Sequence, residues 1–154
     1  MYLHSCILSG WGFTGRINGN LKLKAMPVFG TRSRTNLKQC HIDLQVLFNE
    51  VIKIVDCSVI CGHRGEKEQN EAFDKGFSKL RYPKSKHNKM PSLAADVVPY
   101  PIDWQDKQRF IDFGAFVMDV AEKLWKEGKI THRIQWGGEW VTFPDLPHYQ
   151  IEVF

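Results

Sequence analysis

The sequence has no acidic residue before Asp43, although six arginines and lysines fall within its first 42 residues. Those residues therefore carry a net charge of +6, and the rest of the chain, whose total is +4, carries −2. A basic arm suits a polyanionic partner such as a nucleic acid or an anionic wall polymer, but more often it is a solvated tail. Charge alone therefore gives no reason to expect a nucleic-acid-binding protein.

Long hydrophobic runs and targeting signals are also missing. No apolar run approaches the roughly 20 residues of a membrane span, and the first 13 residues lack a basic start and are interrupted by Ser9 and Gly10, which makes them a poor signal peptide. We therefore expect a monomeric protein that is made in the cytoplasm, has no membrane span and keeps its thiols reduced. Those thiols belong to four cysteines: Cys6, Cys40, Cys57 and Cys61.

Length and composition predict one folded domain with a short extension. A chain of 154 residues with 43% hydrophobic and 12% aromatic residues can bury a core. Residues 1–25 contain four glycines and show no sustained period, so we expect a basic, loosely ordered N-terminal extension there. Met26 opens a more ordinary start, and residues 26–154 are expected to form the folded domain.

Hydrophobic periodicity predicts three helices and four strands. Apolar residues spaced by three and four predict helices at 36–55, 66–80 and from Asp103 to about Gly128, with Asn36 and Asp103 as N-caps and Phe77 facing inward. Short apolar segments predict strands at 57–61, 94–100, 130–136 and 148–153. Helices and strands do not alternate strictly, so the fold class is α+β with a mostly antiparallel sheet.

His87, Asp96 and His148 are the candidate metal ligands. Asp96 lies in an apolar strand, where a carboxylate needs a cation or hydrogen-bond partners. Two histidines and one carboxylate are a known catalytic zinc set that leaves the fourth position for water. Spacing alone leaves an alternative open: an exposed loop histidine, a paired strand aspartate and a satisfied core histidine.

Two further carboxylates lie near this set in the sequence. Asp145 precedes His148 by three residues across a turn stiffened by Pro147, so it can carry protons beside a metal without being a ligand. Glu152 shares a strand face with His148, so it is either an alternative base or a group that orients a ligand.

Three segments resemble motifs of one enzyme family. Residues 85–96 match a Ser-x-His and Ala-x-Asp signature, residues 136–148 match a Trp-Gly-Gly-Asp-Trp and Asp-x-Pro-His motif, and residues 61–69 match a Gly-x-Arg-Ser-x-x-x-Gln segment. On these residues, which span 26–154 in the family's order, the chain resembles the M15 metallopeptidases, the group of D-Ala-D-Ala peptidases and phage L-alanyl-D-glutamate peptidases. Two positions differ, because Glu139 replaces the usual Asp and Gly65 replaces a frequent Ser.

The resemblance implies a fold, a cofactor and residue roles. It implies the small antiparallel sheet with flanking helices of the Hedgehog and D,D-peptidase fold, and Zn²⁺ held by the three candidate ligands. Asp145 is then the general base and acid, and Arg64 steadies the oxyanion or a substrate carboxylate. The remaining residues would support the site or contact substrate: Gln69, Ser85, Trp136 and Trp140.

The resemblance also implies the substrate. The loop from His87 to Asp96 is two residues longer than in the dipeptidases and resembles the phage type. The expected function is therefore zinc-dependent hydrolysis of the L-Ala–D-Glu bond in the peptidoglycan stem peptide, acting on the wall after release from the host cytoplasm. The alternatives are a D-alanyl-D-alanine carboxypeptidase or dipeptidase, and a zinc-bearing binding module without catalysis.

The other histidines and cysteines are predicted to have no site of their own. Cys57, Val59 and Cys61 would share one strand face and pack in the core. His41 and His132 have no acidic or cysteine neighbours in the sequence that are arranged for a site.

Overall fold

A computed structural model describes residues 26–153. The predicted N-terminal extension, residues 1–25, lies outside the described residues. Within the described range the chain forms four helices: α1 (Thr31–Lys38), α2 (Ile42–Val51), α3 (Glu66–Asp74) and α4 (Lys107–Lys126). Four strands are formed: β1 (Cys57–Cys61), β2 (Ala94–Pro99), β3 (Ile134–Trp136) and β4 (His148–Ile151). Short 3-10 turns occupy Lys86–Asn88 and Gly137–Glu139. None of the helices within residues 26–153 has the length and apolar character that crossing a membrane requires.

The four strands form one antiparallel sheet in the order β1-β2-β4-β3. The predicted α+β class with a small antiparallel sheet is confirmed. Side chains alternate between the two faces of each strand, so the sheet has an apolar face and a polar face. Tyr149 and Ile151 of β4 are fully buried on the apolar face, whereas Asp96 and His148 are directly opposite each other on the other face.

Helices α2 and α4 cover the apolar face of the sheet. Leu44, Leu47 and Phe48 of α2 are fully buried, as is Val117 of α4. Their spacing of three and four puts them on one side of each helix, where burial of a large aliphatic or aromatic side chain contributes roughly 1.5–3 kcal/mol. This packing holds the sheet rigid beneath its polar face.

The single helix predicted for 36–55 is wrong, because the chain forms two helices there. The backbone between the two helices pairs with the segment around Ser92. The N–H of His41 donates to the carbonyl of Ser92 at 2.8 Å, and the N–H of Ser92 donates to the carbonyl of Gln39 at 2.8 Å. Backbone groups used in this way cannot continue a helix. The His41 ring caps α2 by accepting from the N–H of Asp43, and the Asn36 amide donates to the carbonyl of Val59 instead of capping a helix.

Other predicted boundaries also differ. Helix α3 ends at Asp74 because Gly76 adopts a left-handed conformation (φ 78°), so Phe77 is exposed instead of facing inward. The cap of α4 is Asp106, whose side chain accepts from the N–H of Arg109, and not Asp103. Strand β3 is shorter than predicted, since residues 130–133 lie outside the sheet. The predicted C-cap glycine, Gly128, is confirmed by its φ of 68°.

Candidate active site

His87, Asp96 and His148 converge on the polar face of the sheet. Asp96 and His148 are cross-strand partners in β2 and β4, and His87 lies in the 3-10 turn that precedes β2. The Oδ1 atom of Asp96 is 3.1 Å from Nε2 of His87 and 3.1 Å from Nδ1 of His148, and the two nitrogens are 3.2 Å apart. These three potential ligand atoms form a nearly equilateral triangle, although His148 is 52 positions beyond Asp96 in the sequence.

This triangle fits a tetrahedral metal ion. Metal–ligand bonds of about 2.0–2.1 Å at tetrahedral angles put neighbouring ligand atoms about 3.3 Å apart, close to the observed separations. The other ring nitrogen of each histidine is already bonded, Nδ1 of His87 to the carbonyl of Gly62 (2.7 Å) and Nε2 of His148 to Oε1 of Gln150 (3.1 Å). Such outer contacts orient metal-binding imidazoles. The residues present therefore fit a metal with two nitrogen ligands and one oxygen ligand.

His87, Asp96 and His148, called the cluster below, interact electrostatically. Burial of His87 disfavours its charged form, but the Asp96 carboxylate outweighs burial and raises the pKa of His87. Burial likewise disfavours the Asp96 carboxylate, but His87 and His148 outweigh this and lower the pKa of Asp96. Without a metal, a proton on His87 balances the carboxylate, and a divalent cation would take over that balance.

Arg64 binds the other oxygen of Asp96. Its guanidinium donates to Oδ2 of Asp96 at 3.1 Å and to Oε1 of Gln69 at 3.3 Å. The salt bridge is mostly shielded from solvent, with the side chains 17% and 14% exposed. Arg64 therefore fixes the carboxylate so that Oδ1 faces the histidines.

Gln69 and Ser85 support the loop that carries His87. Gln69 is fully buried and donates to Ser78 and to the carbonyl of Leu80. The buried Ser85 hydroxyl caps the 3-10 turn by accepting from the N–H of His87. Both lie next to residues of the cluster, and their predicted contact with substrate remains a prediction.

Asp145 lies in the turn that leads into β4. Its N–H donates to the carbonyl of Gly137 (2.9 Å), and its own carbonyl accepts from the N–H of His148 (3.1 Å). A Cβ on Gly137 would come within 2.6 Å of the Asp145 carbonyl oxygen, so only glycine allows this close approach. Burial first, and the negative charge of Asp96 second, raise the pKa of Asp145. A carboxyl group with a raised pKa beside candidate metal ligands suits proton transfer to and from a reacting group.

Glu152, Trp136 and Trp140 occupy three different settings. Glu152 accepts from Nε2 of Gln135 at 3.4 Å, which ties it to β3. Trp136 is 7% exposed, stacks near Tyr149 and donates to the carbonyl of Leu146, so it packs in the core. The half-buried Trp140 ring lies 5.1 Å from the His148 ring, centroid to centroid, and so borders the cluster.

Cys61 belongs to the site, contrary to its predicted place in the core. A bulge between Val59 and Cys61 puts Cys61 opposite Asp96. Its sulfur is 3.6 Å from Nη2 of Arg64 and 3.9 Å from Nδ1 of His87. That nitrogen is bonded to Gly62, and the Asp96–His148 pair lies at the opposite nitrogen of the ring. Cys61 is therefore a neighbour of the cluster and not a fourth ligand. Cys57 is buried in the core as predicted.

A second histidine–aspartate group contradicts the prediction that His41 and His132 lack acidic neighbours. His41, Asp43 and His132 bring metal-ligating atoms together. Oδ2 of Asp43, however, already accepts from the N–H of Thr131 (3.0 Å), the N–H of His132 (2.8 Å) and Nδ1 of His132 (2.8 Å). These bonds tie α2 to the segment before β3, and we interpret the group as a structural tie. Asp43 is 88 residues from Thr131, so no local sequence pattern could have revealed it.

The fold and the site together define a class: an α+β protein with three candidate metal ligands and an adjacent carboxyl group, as expected of a metal-dependent hydrolase. The chain belongs to the family described as phage L-alanyl-D-glutamate peptidase, whose model matches residues 26–153. The predicted membership of the phage peptidase type is confirmed.

A solved structure has the same fold. It is the crystal structure of Serratia marcescens L-Ala D-Glu endopeptidase ChiX, which is 26% identical in sequence, with a TM-score of 0.66 over 84% of this chain and 94% of that chain. No curated protein matches the sequence significantly.

Proposed function

We propose that this protein is a zinc-dependent endopeptidase that hydrolyses the L-Ala–D-Glu bond of the peptidoglycan stem peptide. The observation that carries the proposal is the triangle of His87, Asp96 and His148 donor atoms beside a carboxyl group of raised pKa, in a chain of the phage L-alanyl-D-glutamate peptidase family. The two imidazoles and one carboxylate suit Zn²⁺. The protein acts as a monomer on the cell wall, after release from the cytoplasm in which it is made.

The chain's own side chains divide the chemistry between them. Bound zinc would supply a Lewis acid and an acidified water at its open position. Asp145 takes the proton of the attacking water and delivers it to the leaving amine. Arg64 has five N–H donors, more than its bonds to Asp96, Gln69 and Cys61 use, and the remaining donors stabilise the oxyanion of the peptide carbonyl. Trp140 borders the site where the stem peptide lies.

The test is digestion of purified peptidoglycan with and without a chelator, followed by identification of the new termini. We expect new N-terminal D-Glu, loss of cleavage on chelation, and recovery when zinc is added. His148→Ala should abolish both zinc binding and cleavage, whereas the control His63→Ala, a half-buried histidine outside the cluster, should retain both.

The alternatives give different products. Released D-Ala would identify a D-alanyl-D-alanine carboxypeptidase or dipeptidase. Zinc binding without any cleavage would identify a binding module. Cleavage that survives complete metal removal would contradict zinc dependence.

A further inference from the structure

A line of polar side chains runs from the metal-ligand triad to the far edge of the sheet. It begins at Nε2 of His148, which is 3.1 Å from Oε1 of Gln150. Nε2 of Gln150 then donates to Oε1 of Gln135 at 2.9 Å, and Nε2 of Gln135 donates to Oε1 of Glu152 at 3.4 Å. Three successive hydrogen bonds thus connect a metal ligand to a carboxylate that is not itself in the triad.

The direction of this line is fixed by the group at its end. A carboxylate only accepts hydrogen bonds, so Gln135 must turn its NH₂ group toward Glu152 and its oxygen toward Gln150. Gln150 must then turn its NH₂ group toward Gln135 and its oxygen toward His148. That oxygen can only accept, so Nε2 of His148 carries the hydrogen. Asp96 competes for this hydrogen, because its carboxylate also only accepts and its Oδ1 lies 3.1 Å from Nδ1 of His148. With the hydrogen held on Nε2 by the line of side chains, Nδ1 has the lone pair that a metal needs.

The strands hold the line in place. Gln135 and Gln150 are cross-strand partners in β3 and β4, and the N–H of Glu152 donates to the carbonyl of Arg133 at 2.9 Å. His87 differs, because its outer nitrogen bonds directly to the backbone carbonyl of Gly62. Only the tautomer of His148 therefore depends on side chains, which substitution can test.

We propose that Gln150, Gln135 and Glu152 form a hydrogen-bond relay that selects the metal-binding tautomer of His148 and strengthens its bond to the metal. The proposal deepens the proposed function and depends on it for the metal. All three residues are positioning residues that act through His148. Outer contacts of this kind typically change metal affinity by about 10–100-fold.

The first test measures zinc affinity by competition with a chromophoric chelator. We expect Gln150→Leu to weaken zinc binding by about 10–100-fold and Glu152→Gln to weaken it less, since an amide keeps a weaker form of the last bond. In the Gln150→Leu background, Glu152→Gln should have no further effect, because the relay is already broken. The control Gln108→Leu, on the exposed face of α4, should bind zinc as the unmodified chain does. Equal and additive effects in both backgrounds would overturn the relay.

A rescue variant separates the relay from a loss of folding. Gln150→Glu combined with Glu152→Gln moves the carboxylate next to His148, with the amide at the other end, and should restore zinc affinity to within about threefold of the original. Zinc binding that stays as weak as in Gln150→Leu would overturn the proposal.

A second measurement does not require metal or activity. Nitrogen-15 NMR of the imidazoles in the metal-free protein at mildly alkaline pH should show more of the His148 hydrogen on Nε2 in the unmodified chain than in Gln150→Leu, in which Asp96 alone draws that hydrogen to Nδ1. If the unmodified chain binds no zinc, the proposed function fails, while this measurement still decides the relay. If the chain binds zinc and cleaves walls but the His148 tautomer does not respond to Gln150→Leu, the relay fails and the proposed function stands.

Discussion

At the residue scale, the sequence left two carboxylates, Asp145 and Glu152, as candidates for the general base. Their settings differ in the structure. Burial and the negative charge of Asp96 raise the pKa of Asp145, while the positive charges of His148, His87 and Arg64 oppose this rise, as expected of a carboxyl group that lies close to these residues. Glu152 is bonded to Gln135 at the edge of the sheet and reaches the cluster only through two glutamines. We therefore favour Asp145 as the base.

Asp145→Asn should lower kcat by about 100- to 10,000-fold, because an amide cannot accept and return the proton. Its zinc affinity should change little, since Asp145 is not in the donor triangle. Glu152→Gln, measured at saturating zinc, should retain kcat to within about fivefold. Steady-state hydrolysis of a soluble stem peptide provides the measurement, with zinc content determined in parallel. A large loss of kcat in Glu152→Gln with full activity in Asp145→Asn would reverse the assignment.

Asp43 should make folding stability depend on pH. Burial alone would raise the pKa of Asp43, but hydrogen bonds from His132 and Thr131 outweigh it and keep the pKa below its ordinary value. A carboxylate with a lowered pKa stabilises the fold above its unfolded pKa of about 4, and this stabilisation is lost as pH falls through the folded value. Asp43→Asn should therefore cost about 1–3 kcal/mol at neutral pH, and the difference should shrink below about pH 4.

Urea unfolding at a series of pH values measures this difference. Asp119→Asn, at an exposed position of α4, is the matched control and should change stability by less than about 0.5 kcal/mol at every pH. A cost for Asp43→Asn that does not vary with pH would contradict the role of its charge.

The sequence could predict the candidate ligands but not all their neighbours. The family motifs around His87, Asp96 and His148 predict these residues as metal ligands, while their spacing alone leaves the metal as one of two interpretations. Strict alternation along a strand predicts Cys61 on the face of Cys57, and this prediction is wrong. The bulge before Cys61 adds one residue to β1 and turns the side chain toward Asp96, and no local pattern in the sequence marks such a bulge.

At the element scale, the type of each element was easier to predict than its ends. The apolar period continues through residues 36–55, so it could not show that residues 39–41 leave the helix to pair with Ser92, 51 or more positions along the chain. Helix α4 has the clearest apolar stripe and was predicted well except at its cap. Boundaries depend on long-range backbone pairing, which local periodicity does not contain.

Helix α4 packs on the sheet through a glycine. A Cβ on Gly114 would collide with the ring of Trp136, and so would a Cβ on Gly138. Gly114→Ala should therefore destabilise the protein by about 1–3 kcal/mol, although alanine is the better helix former. The neighbouring exposed Ala115 gives the matched comparison, since Ala115→Gly should cost about 1 kcal/mol from helix propensity alone.

Chemical denaturation of both variants provides the measurement. The preference between alanine and glycine should be opposite at the two adjacent positions. A gain in stability for Gly114→Ala would show that Trp136 can move without cost, and would contradict the close packing of α4 on β3.

At the scale of the whole molecule, the family match and the described fold cover the same residues, 26–153. Every candidate ligand and every residue of the proposed relay lies within this range. Residues 1–25 contain three charged side chains, Arg16, Lys22 and Lys24, and all of them are basic. The division into an extension and a catalytic domain therefore remains a prediction that shortening the chain can test.

A chain that begins at Met26 should fold and cleave as the full chain does. We expect its Tm to lie within about 2 °C of the full chain's, with equal zinc content and with hydrolysis of a soluble stem peptide unchanged within about twofold, since no known part of the site is removed. Binding to intact walls at low salt should weaken, and the difference should disappear as salt screens the three lost cations. The full-length chain with Arg16, Lys22 and Lys24 changed to Gln is the matched control, because it removes the charge and keeps the length. Loss of peptide cleavage on shortening would mean that residues 1–25 belong to the catalytic unit, and equal wall binding at low salt would leave the basic arm as a solvated tail.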